Sequence, residues 1–109
     1  MITDEMRTEL VEGLRHILSD KIENIILYGS VARGDSNADS DVDIAIILRR
    51  ASTDEERDSF LHFSSVMDLK YDRVFSFIDI ERELINEWGK VLPFYRNVEK
   101  EGIVLWKAA

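Results

Sequence analysis

Residues 27–44 constrain this chain more than any other stretch, because they have the pattern of two strands separated by a glycine turn and a polar loop. The second strand opens with Asp41 and Asp43. Side chains alternate between the two faces of a strand, so both carboxylates point to one side, with Cα atoms about 6–7 Å apart. Two like charges this close repel each other unless a cation lies between them, and Mg²⁺ prefers such oxygens. The opposite side carries residues that can enter a core: Val42, Ile44, Ile46 and Leu48.

The turn before the loop has the residue types of a phosphate site. The apolar run 25–28 leads directly into Gly29, where the backbone must turn sharply or approach a ligand closely. Ser30 adds a hydroxyl, and if a short helix begins here its backbone N–H groups point at an anion. Arg33 can bind phosphate oxygens with its guanidinium. Two alternatives stay open: a plain tight turn at Gly29 and Ser30, and a solvated surface arginine at Arg33.

Together these motifs resemble the signature of the DNA polymerase β-like nucleotidyltransferase superfamily. The signature combines Gly29 and Ser30, a spacer, and the pair Asp41 and Asp43. The fuller pattern, Gly-Ser-x-Ala-Arg-Gly followed by Ser-Asp-x-Asp, is similar to that of the short members, the minimal nucleotidyltransferase (MNT) proteins. The similarity extends over nearly the whole chain, and it implies a single minimal nucleotidyltransferase domain over residues 1–109.

The resemblance implies a role for each acidic residue of the motif. Asp41 and Asp43 would bind two Mg²⁺ ions, with Asp43 bridging both and Asp41 chiefly engaging the ion on the triphosphate. A third carboxylate is expected on a neighbouring strand, as a metal ligand and in some members as general base. Asp72, at the head of the strand-like segment 71–77, is the first candidate. Asp79 is the alternative, with a simpler interpretation as a helix cap, and Asp72 is alternatively a turn residue.

The implied reaction is nucleotidyl transfer, in which a hydroxyl attacks the α-phosphate of a nucleoside triphosphate, most often ATP in this family. Larger members carry a helical domain for the acceptor, and 109 residues leave no room for one. Recognition is therefore expected from a partner or a homodimer. The resemblance implies a particular partner, because MNT proteins are commonly paired with a small all-helical HEPN protein. In such pairs the MNT protein acts as antitoxin and can adenylylate a tyrosine of the toxin. Two rival functions stay open: a non-catalytic MNT-fold module that covers a partner, and a subunit of an antibiotic nucleotidyltransferase.

Composition excludes several classes of protein. The formal net charge of −8 argues against binding a nucleic-acid backbone alone, because that affinity comes mainly from Lys and Arg. The absence of cysteine excludes disulfides and thiolate metal sites. No apolar run reaches the roughly 18 residues of a membrane span, and the N-terminus lacks the regions of a signal peptide. We expect a cytoplasmic protein.

The order of helical and strand patterns predicts an α/β or α+β domain, with a mixed sheet of three to four strands and helices packed mainly on one face. Strands are predicted at 22–28, 42–48, 73–78 and 103–106. Helix starts are predicted from cap and proline signals at Thr3, at Ser52 with Glu55, at Asp79 and at Pro93. Aromatic residues near the C-terminus belong either to the core or to a partner-binding patch: Trp88, Phe94, Tyr95 and Trp106.

Overall fold

The computed structural model describes residues 2–34 and 40–109, so the loop segment 35–39 of the predicted motif lies outside the described residues. Within those ranges, the α-helices and strands are α1 Asp4–Leu18, β1 Ile22–Tyr28, α2 Gly29–Arg33, β2 Val42–Leu48, α3 Asp54–Tyr71, β3 Phe75–Glu81, α4 Arg82–Trp88, α5 Pro93–Glu101 and β4 Ile103–Lys107. The strands form one sheet in the order β3-β2-β1-β4. β1 pairs antiparallel with β2 and β4, and β2 pairs parallel with β3. This mixed sheet confirms the predicted fold class.

β1 and β2 form the centre of the sheet and carry apolar side chains on both faces. Both strands have the predicted bounds, because each is an isoleucine-rich run that suits a strand buried on both sides. Their side chains divide between two layers of core. The larger core takes Ile25, Leu27, Ile44 and Ile46, and the smaller takes Ile26, Ala45 and Ile47.

α1 and α3 cover the larger core. α1 begins at the predicted cap, where the Thr3 hydroxyl accepts a hydrogen bond from the Met6 N–H at 3.1 Å. Its apolar stripe is buried against the sheet, and α3 adds Phe60 and Met67 to the same core. α3 is the longest helix, but one side of it faces solvent. No helix within residues 2–34 and 40–109 has the length and apolar character needed to cross a membrane.

The predicted cap of α3 is wrong by one residue. Thr53, not Ser52, is the N-cap: its hydroxyl accepts from the Glu56 N–H at 3.1 Å, and the Glu56 carboxylate accepts from the Thr53 N–H at 2.9 Å. The predicted pair of Ser52 and Glu55 had the same spacing, so sequence alone offered two equivalent capping boxes. Ser52 instead donates its hydroxyl to Asp79 at 2.9 Å.

The predicted helix cap at Asp79 is also wrong. Asp79 lies inside β3, where its carboxylate accepts hydrogen bonds from Ser52 and Arg57. β3 begins at Phe75, two residues later than predicted. It ends at Glu81, three residues later than predicted, because it stays paired with β2 as far as Leu48. Glu81 is consequently the residue that precedes α4.

α4 and α5 pack on the second face of the sheet. Ile85 of α4 and Val98 of α5 are buried in the smaller core. Arg82 joins the two helices to β1, since its Nε donates to both oxygens of Glu23 at 3.0 and 3.1 Å. Its two terminal nitrogens donate to the two oxygens of Glu99 at 2.9 and 3.0 Å. The arginine therefore fixes the position of α5 relative to the sheet.

Candidate functional site

The turn from β1 into α2 lies beside the carboxylate of Asp43. Tyr28, the last residue of β1, pairs with Asp43 on β2, and Gly29 follows it directly. Gly29 has a φ of +77°, in the left-handed region. A Cβ placed on Gly29 would collide with the Asp43 carboxylate. Glycine is therefore needed here both for the backbone angle and for the close approach of the carboxylate.

α2 is a short helix at the glycine turn, and it begins at Gly29. Val31 is buried in the larger core and anchors this single turn. Ser30 is half-buried and Arg33 is exposed, so both lie at the accessible side of the turn. Burial raises the pKa of the Asp43 carboxyl, and the positive charge of Arg33 offsets part of that rise. Phosphate binding by Ser30 and Arg33 stays a prediction.

Asp43 holds its negative charge in an unfavourable environment. Burial raises the pKa of its carboxyl above the usual value, and the charge of Asp41 raises it further. Burial and then the charge of Asp43 likewise raise the pKa of Tyr28. A divalent cation between Asp41 and Asp43 would stabilise both carboxylates in their ionised form. Two adjacent carboxylates, one half-buried and one exposed, therefore fit a Mg²⁺ ion that keeps part of its coordination shell for phosphate and water.

Asp72 lies between α3 and β3. It ends α3 in the left-handed region, with a φ of +52°, and its side chain is exposed. The residue of β3 that pairs with Asp43 is Ser76, further along the chain. Among residues 2–34 and 40–109, no three His, Cys, Asp or Glu side chains form a group that could hold a metal ion. The charge of Asp41 acts on Asp43, and Asp72 is not among the groups that shift the pKa of Asp43. The role of Asp72 stays a prediction.

A cavity of about 270 Å³ opens next to Gly29, between α2 and α5. The wall on the side of β1 and α2 consists of Tyr28, Gly29, Ala32 and Arg33, and the wall on the side of α5 consists of Phe94, Asn97, Val98, Glu101 and Gly102. The rings of Tyr28 and Phe94 meet edge to face, with centroids 5.8 Å apart. The wall on the side of α5 was not among the site residues predicted from the sequence. Its residues recur at the spacing of one helix face, but only the pairing of β4 with β1 brings that face to the site.

Sequence comparison identifies the family. The family model described as polymerase beta, nucleotidyltransferase, matches residues 12–108. The chain belongs to this family. Two Methanocaldococcus jannaschii proteins named as candidate protein adenylyltransferases resemble this nucleotidyltransferase. One is 38% identical over 72 residues, which are 66% of this chain and 73% of the relative. The other is 37% identical over 101 residues, which are 90% of this chain and 92% of the relative.

Solved structures share the fold of this nucleotidyltransferase. One of them, a candidate minimal nucleotidyltransferase, has a TM-score of 0.59 and 19% identity, covering 91% of this chain and 87% of that chain. A chain of a tri-AMPylated HEPN toxin in complex with an MNT antitoxin, from Shewanella oneidensis, has a TM-score of 0.62 and 16% identity, covering 98% of this chain and 74% of that chain. A chain of a toxin–antitoxin structure with AMP-PNP has a TM-score of 0.63 and 17% identity, covering 94% and 73%. Together with the family match, these comparisons confirm the predicted resemblance of the chain to the nucleotidyltransferase superfamily and its minimal members.

Proposed function

We propose that this nucleotidyltransferase uses Mg²⁺ to transfer AMP from ATP to a tyrosine hydroxyl of a HEPN-type helical protein, as the antitoxin of a toxin–antitoxin pair. The observation that carries the proposal is the approach of the Asp43 carboxylate to Gly29. It puts an acid that would bind metal next to the helix start that would bind phosphate. Nucleotidyl transfer needs these two functions within the length of one triphosphate.

The side chains of the site have different roles in the proposed reaction. Asp41 and Asp43 would hold two Mg²⁺ ions, which neutralise charge on the phosphates and on the attacking oxygen. Ser30 and the N–H groups at the start of α2 would hold the leaving phosphates, with Arg33 adding a positive charge. The tyrosine oxygen bonds to the α-phosphorus, the bond from that phosphorus to the oxygen bridging to the β-phosphate breaks, and pyrophosphate leaves.

The phenol proton needs an acceptor, and we propose Asp72 for this role. The side chain of Asp72 is exposed, so a bound partner could bring its tyrosine to the carboxylate. Water is the alternative acceptor. Asp72→Asn separates the two, because a general base contributes about 10²–10⁴-fold in rate, whereas a solvated turn residue contributes little.

A protein acceptor is supported by the relatives. The two archaeal relatives are named as candidate protein adenylyltransferases, and a protein of the same fold belongs to a complex with an AMPylated HEPN toxin. The second candidate function is a non-catalytic module that neutralises its partner by covering it. The observation in its favour is that the described residues contain no group of three carboxylates at the site.

The test is incubation with α-³²P-labelled ATP and Mg²⁺, alone and with the protein encoded next to this one. We expect label on the neighbouring protein with the unaltered chain, and none with Asp41→Asn/Asp43→Asn. Asp58→Asn is the matched control, since Asp58 is an exposed acid of α3, and it should label normally. Tight binding to the neighbour without any label would overturn the transfer reaction in favour of the covering module.

A further inference from the structure

We infer that the cavity between α2 and α5 binds the adenine of ATP, and that Glu101 and Asn97 recognise the edge of the base that carries its 6-amino group. This inference rests on the proposed function, because it concerns the nucleoside part of the same nucleotide. It assigns α5 a role in selecting the donor.

The cavity continues the proposed phosphate site. Gly29 and Arg33 belong both to that site and to the cavity wall, so a nucleotide with its phosphates at Gly29 has its nucleoside within reach of the cavity. The volume of about 270 Å³ is near the lower end of small-molecule sites, about 300 Å³. It suits a planar base better than a segment of a protein partner.

An aromatic ring is available for stacking. Phe94 is 43% exposed although it is a large apolar residue. It is held from two sides, by Tyr28 at 5.8 Å and by Tyr95 at 5.7 Å between ring centroids. A ring held in this way, with an open surface at a cavity, is a platform on which a base can stack.

Glu101 and Asn97 supply the polar groups. They lie one helical turn apart on α5 and both line the cavity. Glu101 is the last residue of α5, where the helix dipole disfavours a negative charge, and it forms no ion pair with any other residue that the structure describes. Helix stability therefore does not account for an acid at this position.

The two side chains complement one edge of adenine. A carboxylate only accepts hydrogen bonds, so Glu101 suits the 6-amino group, which donates. The side-chain amide of Asn97 can donate to the adjacent ring nitrogen N1. Purine riboside triphosphate lacks only the amino group and keeps N1, so it isolates the contribution of Glu101.

The experiment measures dissociation constants for ATP, GTP and purine riboside triphosphate in Mg²⁺ by isothermal titration calorimetry. We expect ATP to bind about tenfold more tightly than purine riboside triphosphate, because ATP makes one additional hydrogen bond to a charged group and such a bond changes affinity by about this factor. Glu101→Ala should bring that ratio close to one and leave the affinity for purine riboside triphosphate unchanged. Asn97→Ala should weaken both nucleotides. Glu87→Ala, which removes an exposed acid from α4 outside the cavity, should change neither.

The outcomes separate this inference from the proposed function. An unchanged ratio in Glu101→Ala, with ATP binding that still requires Mg²⁺ and Asp43, overturns the adenine site and leaves the transfer reaction standing. Tighter binding of GTP than of ATP also overturns it. Failure of the unaltered protein to bind any of the three nucleotides overturns both proposals.

Discussion

Substituting Gly29 by alanine should damage nucleotide binding far more than it damages the fold. Alanine in the left-handed region costs about 1–2 kcal/mol, and Gly29 has a φ of +77°. In addition the new Cβ would collide with the Asp43 carboxylate. That carboxylate is the far end of a short side chain, so it can rotate away at little cost in stability, but it then leaves the position in which it would bind metal.

Gly34 provides a matched control. Its φ of +78° imposes the same backbone cost, and a Cβ placed on it meets nothing within 4 Å among the described residues. We therefore expect Gly29→Ala and Gly34→Ala to lose similar stability in urea denaturation, about 1–2 kcal/mol each, or a fall in Tm of about 4–8 °C for each kcal/mol.

Mg²⁺ and ATP should then distinguish the two variants. Ligand at 100 times its Kd stabilises the unaltered protein by about 2.7 kcal/mol, which corresponds to a rise in Tm of about 10–20 °C. Gly34→Ala should keep this rise, and Gly29→Ala should lose most of it. An equal rise in both variants would refute the reasoning that the contact between Gly29 and Asp43 positions the metal ligand.

Three further predictions concern stability and are measured by urea denaturation. Arg82→Met should lower the free energy of unfolding by about 1–2 kcal/mol, because two carboxylates lose their charged donor. Arg57→Met, at a more exposed ion pair, should lower it by at most about 0.5 kcal/mol. Equal losses would contradict the importance assigned to Arg82. Thr53→Ala should cost about 1 kcal/mol by removing the cap of α3; no loss would refute the capping box. The pKa of Glu56 is lowered, chiefly by the hydrogen bond from Lys21, so the ionised carboxylate stabilises the folded protein. This contribution is fully present above the usual pKa of 4.5 and is lost as the pH falls through the lowered pKa. Glu56→Gln should therefore flatten the fall of stability on acidification, and an unchanged slope would contradict this.

The strands at the centre of the sheet were predictable because their signal is local. β1 and β2 are apolar on both faces and are bounded by glycine or charged residues, so burial and sequence pattern agree on where each strand lies. The start of α3 was less determined, since Ser52 with Glu55 and Thr53 with Glu56 have the same spacing. In the structure Thr53 is the cap, and Ser52 donates a hydrogen bond to Asp79 on β3 instead. That contact joins residues distant in sequence, so no local pattern reveals it.

The candidate site was only partly predictable for the same reason. The sequence indicates a glycine turn and a pair of acids, but their contact depends on the pairing of Tyr28 with Asp43 across two strands. The wall formed by α5 depends on β4 returning beside β1. Asp72 was expected at the head of a strand, whereas β3 begins at Phe75 and leaves Asp72 at the end of a helix. Local patterns do not determine where α3 ends and β3 begins.

The most direct test of a nucleotide site at Asp43 is calorimetric titration of ATP into the protein, in Mg²⁺ and in EDTA, with Asp43→Asn beside Asp58→Asn. Asparagine at position 43 removes a charge that burial disfavours, so that variant should remain folded. We predict binding of ATP in Mg²⁺ by the unaltered protein and by Asp58→Asn, and loss of binding in EDTA and in Asp43→Asn. Equal affinity in EDTA, or in Asp43→Asn, would contradict the account.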